Sequence, residues 1–247
     1  PTEPTETTPK PTEPTEPTEN ATPPTRSLLD PPLRPAMPLT VVLPEALPAD
    51  LEAIRREPAA VKVKVFVDEA WAEKAADPFA YAQQTVAWAS QIYESQIGLR
   101  FELQSIARWE DAPSGLAAKL AALCGQPSDG AEMILGFASE AVSGADEALA
   151  DGRCAIVPQS SRSRQAPHLR SLLFVVGRLL GAEAIGDPGS EAWRRGSWMG
   201  DVLADDAQPL WIDEDSRAAM LRGKRAAPWT GAPGGAADAA ADREEAE

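Results

Sequence analysis

The residue types that most often carry out chemistry in proteins are scarce in this chain. Its 247 residues include a single His, His168, and two Cys, Cys124 and Cys154. Catalytic zinc centres are commonly built from two or three His, and nucleophilic triads and Cys–His centres need one His in a fixed place. The composition therefore excludes a three-His zinc centre and leaves the chemistry that one His or the Cys pair could support.

The lone His and the two Cys allow two arrangements. A Cys154–His168 dyad is conceivable, because we expect the strand that holds Cys154 to lie beside the helix that His168 begins. A Cys124–Cys154 disulfide is the favoured interpretation, since two Cys in a chain of exported character usually pair. His168 follows Pro167 in the first turn of a predicted helix, so we expect it to be partly exposed and to have no catalytic role.

Charged residues are numerous, but their spacing indicates no specific site. The formal net charge is −15, which argues against a surface for duplex nucleic acid, because phosphate binding requires clustered Lys and Arg. None of the acidic clusters has the spacing of a calcium loop, so we interpret them as solvated faces. The acids concerned are Glu69, Glu73, Glu110, Asp111, Asp146, Glu147, Asp205, Asp206, Asp213, Glu214 and Asp215.

A local group of basic residues stands out in this acidic sequence. Its members are Arg153, Arg162, Arg164 and Arg170. We interpret the group as a contribution to solubility and to helix-start electrostatics, with a docking surface for an acidic partner as the alternative.

The most informative stretch is FVVGRLLGAEAIGDPGS, from Phe174 to Ser190, followed by GSWMG at residues 196–200. It resembles the metzincin zinc endopeptidases, in particular their reprolysin-like and bacterial branches, whose long helix carries H-E-x-x-H-x-x-G-x-x-H and is followed by a Met-turn. Two ligands four residues apart project from one helix face, and the glycine lets the chain turn so that the third ligand reaches the same ion. Gly177 and Gly181 match this scaffold, and Met199 stands where the Met-turn methionine would be.

The residues that would perform the chemistry do not match. By this resemblance Phe174 and Arg178 occupy the first and second His positions, Ala184 the third, and Val175 the position of the general-base Glu. Phe, Val and Ala offer no lone pair, and Arg keeps its proton in proteins. The resemblance therefore implies a pseudoenzyme without zinc or any other cofactor, which acts by binding a protein or peptide.

Two further expectations follow from the resemblance. We expect Arg178 to replace the positive charge of the metal by pairing with the carboxylate of Asp187 or Glu183. The family's substrate cleft would be lined by Trp193, Trp198 and Trp211, although we expect at least two of these to serve core packing. The alternatives are a working hydrolase, either a metallopeptidase with non-His ligands or a Cys–His enzyme, and a purely structural envelope module.

The pattern of apolar residues predicts one α/β (α+β) domain, with a twisted mixed sheet packed on two long helices. The predicted strands are residues 61–68, 99–109, 133–138 and 154–157, the last one ended by Pro158. The predicted helices are residues 78–96, 116–123, 167–183 and 213–222. The strand at 133–138 is apolar throughout, which is typical of a central strand.

The ends of the chain differ from its middle in composition. We predict a disordered Pro/Thr/Glu-rich linker at residues 1–50, the metzincin-like domain at 51–229 and a disordered acidic tail at 230–247. No apolar run approaches the roughly 18 to 20 residues of a membrane span. Because such linkers follow the acylated cysteine of bacterial lipoproteins, we expect an exported monomer, periplasmic, at the cell surface or secreted, with a lipid anchor upstream of residue 1.

Overall fold

The computed structural model describes residues 39–42, 46–73, 75–141, 149–160, 163, 166–200 and 209–227. These residues form five strands and seven helices. The strands are β1 (Ala59–Asp68), β2 (Leu99–Trp109), β3 (Met133–Ala141), β4 (Ala150–Asp151) and β5 (Cys154–Gln159). The helices are α1 (Ala49–Arg56), α2 (Glu69–Ala72), α3 (Pro78–Ile97), α4 (Leu116–Cys124), α5 (Leu169–Leu179), α6 (Glu191–Arg194) and α7 (Glu214–Ala226).

The five strands form one mixed sheet in the order β2-β1-β3-β5-β4. β1 pairs in parallel with both β2 and β3, β3 pairs in parallel with β5, and only β4 runs antiparallel, against β5. A central strand of such a sheet is covered on both faces, and β3 is accordingly buried from Met133 to Ala138. The predictions of an α/β domain and of a central strand at 133–138 are confirmed.

Helices cover both faces of the sheet. Successive residues of a strand point to opposite faces, and on β3 the Phe137 ring meets His168, which precedes α5, whereas a Cβ added at Gly136 would meet Leu123 of α4. α4 therefore lies across the sheet from α5. On the α5 face, the Tyr93 hydroxyl of α3 donates a 2.6 Å hydrogen bond to the Leu173 carbonyl of α5.

Several boundaries differ from the sequence predictions. α5 spans Leu169–Leu179 rather than 167–183, because the chain leaves the helix before Gly181. β5 continues through Pro158 to Gln159, since its last residues still pair with β3. The short elements α2, α6 and β4 were not predicted, because two to four residues are too few to show a periodicity.

Part of the predicted linker packs on the domain. Leu39 is buried, and the Val42 amide donates to the Leu210 carbonyl while the Leu210 amide donates to the Thr40 carbonyl, at 2.8 and 2.7 Å. α1 likewise begins two residues before the predicted boundary at residue 51. Residues 1–38 and 228–247, which hold most of the predicted linker and the whole of the predicted tail, lie outside the described residues.

A buried lysine on α7 joins three helices. The Lys224 ammonium donates 2.9 Å hydrogen bonds to the carbonyls of Ile54 in α1 and Ile97 in α3, and a further bond to that of Glu57. A cation at helix C-termini satisfies carbonyls that lack a partner within the helix and interacts favourably with the helix dipole. Burial lowers the pKa of Lys224 to about 8, so the carbonyls hold a partly desolvated charge.

Candidate functional site

The motif helix α5 is built from apolar side chains that face the core. Phe174 is 2% exposed and Val175 is fully buried, as are Leu172, Leu173 and Val176. A fully buried side chain of this size contributes roughly 1.5 to 3 kcal/mol of hydrophobic free energy. The two positions that the resemblance assigns to the first metal ligand and the general base therefore hold packing side chains that have no lone pair to donate.

The chain turns sharply after α5. Gly181 has φ of +85°, a conformation that favours glycine, and its amide donates to the Arg178 carbonyl at 3.0 Å. The next amide, of Ala182, donates to the Gly177 carbonyl at 2.9 Å. These two bonds close the C-terminus of the helix and redirect the backbone toward Ala184, the position aligned with the third ligand.

Arg178 is half-buried, but the prediction that it pairs with Asp187 or Glu183 is wrong. Its Nη1 donates to the Ala182 carbonyl at 3.2 Å, and within the described residues no carboxylate pairs with it. The Asp187 carboxylate instead accepts the Gly189 amide at 2.8 Å within its own turn, and Glu183 is exposed. The turn at Gly181 places the Ala182 carbonyl beside the Arg178 guanidinium, which therefore bonds to the backbone rather than to either carboxylate.

Gly177 and Met199, both predicted parts of the scaffold, are brought into contact. A Cβ added at Gly177 would lie 2.5 Å from the Met199 Sδ and 2.5 Å from the Met220 Cε, well inside van der Waals distance. The segment around Met199 is further fixed by the Ile185 amide, which donates to the Met199 carbonyl at 2.8 Å. Ala184, beside Ile185, is half-buried and packs against the core.

Two of the three tryptophans assigned to a cleft wall are buried, as expected. Trp198 is fully buried and Trp211 is 8% exposed, while Trp193 is half-buried. Trp198 and Trp211 are joined by a bond from the Trp198 amide to the Trp211 carbonyl at 3.0 Å. The exposed remnant of the Trp211 ring is covered by the Arg195 guanidinium, whose Cζ lies 4.1 Å from the ring centroid.

Beside this stacked pair lies a groove of about 400 Å³ between α6 and the start of α7. Its lining residues are Glu191, Ala192, Arg195, Trp211, Ile212, Asp213, Glu214, Asp215 and Arg217. We call this feature the Trp211 groove. Its four carboxylates outnumber its two guanidinium groups, so its walls are net negative. The groove could not be predicted from the sequence, because it depends on the packing of Trp211 under Arg195.

A second, smaller pocket of about 230 Å³ lies at the carboxyl ends of β1 and β2. Its charged lining residues are Asp68, Glu69, Glu73, Glu110 and Lys119. Asp68 is buried and accepts hydrogen bonds from Lys119 Nζ at 2.8 Å, the Ser139 amide at 3.0 Å and the Trp71 amide at 2.7 Å. Although burial alone would raise it, the pKa of Asp68 is lowered by these three donors. Asp68 is thus a structural carboxylate whose charge is already satisfied.

Metal ligation finds little support in the described ranges. Within them, no three His, Cys, Asp or Glu side chains are grouped so as to hold a metal ion. Four of the acids named above, Asp146, Glu147, Asp205 and Asp206, lie outside the described residues.

The described ranges contain no helix that is both long and apolar enough to cross a membrane.

The expectation that His168 is partly exposed is wrong. The side chain is fully buried among Trp71, Tyr81 and Phe137, because α5 begins against the sheet rather than at the surface. Its Nε2 lies 3.1 Å from the Ala138 carbonyl, to which it must donate. Burial lowers the pKa of His168 to about 4, which keeps the ring neutral.

The two cysteines are thiols in the structure, and they lie next to each other. The Cys124 Sγ is 3.8 Å from the Asp151 carbonyl, and Asp151 pairs with Cys154 across β4 and β5. The pKa of Cys154 is raised to about 12, mainly because the thiol is buried and secondly because it forms a hydrogen bond with Cys124. The Cys124–Cys154 disulfide stays a prediction. The Cys154–His168 dyad is disfavoured, because His168 bonds to the Ala138 carbonyl and Cys154 interacts with Cys124.

The basic group does not form one surface. Arg170 is 1% exposed on α5, whereas Arg153 is exposed in the turn between β4 and β5. Arg162 and Arg164 lie outside the described residues. A docking surface that includes Arg170 is therefore wrong, because the helix turns that side chain into the protein.

We predict that Gly177→Ala destabilises the fold. Helix propensity alone would favour Ala by about 1 kcal/mol, but the overlap with Met199 and Met220 forces buried side chains to move, at about 1 to 3 kcal/mol. Urea unfolding monitored by circular dichroism measures the net change. The control is Gly186→Ala, whose added Cβ meets nothing within 4 Å and should change stability by no more than about 0.5 kcal/mol. A Gly177→Ala chain more stable than the parent would contradict the close packing.

We also predict that His168 makes the fold sensitive to mild acid. Its pKa is about 4 in the folded chain and about 6.5 when unfolded, so between these values the unfolded chain binds a proton that the folded chain does not. The contribution of neutral His168 to the free energy of unfolding is therefore fully present above pH 6.5, and the free energy of unfolding falls by roughly 3 kcal/mol as the pH drops to 4. Urea unfolding at several pH values tests this. In His168→Gln, whose amide can still donate to Ala138, the decline in this window should disappear, and an unchanged decline would show that another group causes it.

Comparison with known proteins shows likeness of fold alone. No protein-family model matches the chain, and neither does any curated protein. Solved structures do match, and one of them is described as "Structure of a chaperone-substrate complex". That match has a TM-score of 0.50 and 9% sequence identity, and it covers 69% of this chain but 34% of the other. The chain thus spans about a third of the length of that structural neighbour.

Proposed function

We propose that this protein is a catalytically inactive, metzincin-like domain that acts by binding a basic segment of a protein or peptide. The observation that carries the proposal is Phe174, which fills the first ligand position of the motif helix and is 2% exposed. An aromatic ring packed into the core leaves no space for an ion at that position.

The scaffold features that accompany Phe174 support the assignment to this family. Gly177 admits Met199 against the helix, and Gly181 turns the chain after it, as the resemblance requires. The two strands that flank α3, the apolar strand β3 and the strand β5 before α5 occur along the chain in the order that the resemblance implies.

The chemistry of the aligned positions supports the loss of peptidase activity. Catalytic zinc lowers the pKa of a bound water to about 7 while a carboxylate accepts the proton. Here Val175 stands at the carboxylate position, and the Arg178 guanidinium, bonded to the Ala182 carbonyl, would repel a divalent cation. No residue at these positions can bind zinc or take a proton from water.

The Trp211 groove is the surface that we propose for binding. It combines an aromatic ring, a stacked guanidinium and a net negative wall, which are complementary to an extended segment that carries Lys or Arg. The segments 1–25 and 230–247 each carry a net charge of −4, so the chain's own ends are poor competitors for an acidic groove.

The setting that we propose is the outside of a bacterial cell. The Pro/Thr/Glu-rich sequence would hold the domain away from an anchoring surface, as an extended, self-repelling spacer. We propose an exported monomer, tethered or secreted, in which binding rather than turnover is the activity.

The zinc content of the chain tests the loss of catalysis. We expect the purified protein to contain no stoichiometric zinc and to leave casein intact with or without a chelator. Restoring the ligands by Phe174→His, Arg178→His and Ala184→His should produce uptake of one Zn²⁺ per folded chain, measured by elemental analysis after dialysis. If the triple variant fails to fold by circular dichroism, the double variant Arg178→His/Ala184→His, at two half-buried positions, should still bind zinc more weakly.

The control keeps Phe174→His and Ala184→His but moves the middle histidine by one residue, to Leu179→His. This variant should bind zinc more weakly than the aligned one, because residues five apart do not share a helix face. Zinc in the parent chain would overturn the loss of catalysis. Equal uptake by the aligned and shifted variants, or none in a folded aligned variant, would overturn the resemblance.

Peptide binding tests the Trp211 groove. We expect fluorescence anisotropy to detect a Lys/Arg-rich peptide and not a Glu-rich peptide of equal length, with an affinity that falls as salt is added. Glu191→Gln/Asp215→Asn, at two exposed positions of the groove, should weaken binding about tenfold, by the loss of roughly 1.4 kcal/mol.

The matched control is Asp50→Asn/Asp111→Asn, which removes the same charge from exposed positions outside the groove. It should leave the affinity unchanged. Equal weakening by both variants would mean that net charge rather than the groove attracts the peptide, and no difference between the two peptides would overturn the proposed ligand class.

A further inference from the structure

The two cysteines meet where three elements converge. Cys124 is the last residue of α4 and is partly exposed, whereas Cys154 is the first residue of β5 and is 2% exposed. Both adjoin Asp151, the former through its thiol, 3.8 Å from the Asp151 carbonyl, and the latter as its partner in the β4–β5 pairing. Asp151 therefore brings the last residue of α4 and the first residue of β5 side by side.

We propose that Cys124 and Cys154 are a reversible dithiol–disulfide pair that clasps the edge hairpin β4–β5 to helix α4. The co-reactant is a small-molecule disulfide such as oxidised glutathione. This site is independent of the proposed peptide groove, because neither cysteine lines that groove.

The exposures of the two thiols set the order of the reaction. The Cys124 thiolate attacks one sulfur of the small disulfide, forms a mixed disulfide and releases one small thiol. The Cys154 thiolate then attacks the Cys124 sulfur, the mixed disulfide bond breaks, and the second small thiol leaves. In total, two protein thiols lose two protons and two electrons, and one small disulfide is reduced to two thiols.

The environment of Cys154 makes the second step the slow one. Only the thiolate attacks, and burial keeps Cys154 protonated at neutral pH. The mixed disulfide on Cys124 should therefore accumulate at pH 7 and resolve faster as the pH rises.

The structural consequence concerns the sheet edge. β4 pairs with β5 through only two residues, Ala150 with Ala155 and Asp151 with Cys154. Edge pairing this short opens readily, because few hydrogen bonds must break together. A covalent bond from α4 to the first residue of β5 would hold this hairpin against the helix.

The test treats the full chain with oxidised glutathione at pH 7 and pH 9 and follows it by intact mass spectrometry. We expect a transient glutathione adduct that converts to an internal disulfide, at least several-fold faster at pH 9. Cys154→Ser should stop at the adduct, and Cys124→Ser should react at least tenfold more slowly than Cys154→Ser. Hydrogen exchange should show stronger protection of residues 149–157 in the oxidised chain, and the double variant Cys124→Ser/Cys154→Ser should show no change.

Three results would overturn the proposal. One is oxidation that yields only chains linked to each other. Another is a faster reaction at Cys154 than at Cys124, which would reverse the order of attack. The third is an internal disulfide that forms without any change in hydrogen exchange at residues 149–157, which would remove its role as a clasp.

Discussion

The absence of a side chain at Gly177 is the constraint on which the packing of α5, residues 196–200 and α7 depends. Because no Cβ stands there, Met199 and Met220 can lie directly against α5. That contact joins the motif helix to the segment at residues 196–200 and to α7. α7 in turn carries Lys224 to the ends of α1 and α3, so one missing methyl group fixes the relative positions of four helices.

Under the proposed function, the core takes the place of a metal centre as the source of order along α5. A metal ion fixes its ligands by a few strong, directional bonds, and those bonds require deprotonated or neutral donors. Here Phe174 and Val175 are held instead by many weak dispersion contacts, which have no directional requirement but tolerate no voids. The helix can therefore keep its position without the ligands, provided that each aligned side chain fills its space.

Several polar side chains at the core of the described residues, or at its edge, donate to backbone carbonyls. Arg178 donates to the Ala182 carbonyl, His168 to the Ala138 carbonyl and Lys224 to three carbonyls at helix ends. Asp68, which pairs with Lys119 and two amides, is the acidic counterpart. Because backbone groups do not titrate, the pH dependence of these contacts comes from the side chains themselves.

The sequence by itself predicted an α/β domain with a mixed sheet, and the apolar run at 133–138 predicted its central strand. It also determined the ends of α3, where Asp77 accepts the Ala80 amide and Gly98 adopts a left-handed conformation. The lack of metal donors at Phe174, Val175 and Ala184 is likewise a matter of residue type alone. Tertiary structure decided the burial of His168, the partner of Arg178 and the Trp211 groove. The burial of His168 and the groove depend on which distant segments pack together, and the partner of Arg178 depends on where the turn after α5 directs the Ala182 carbonyl. That information is held in packing rather than in local pattern.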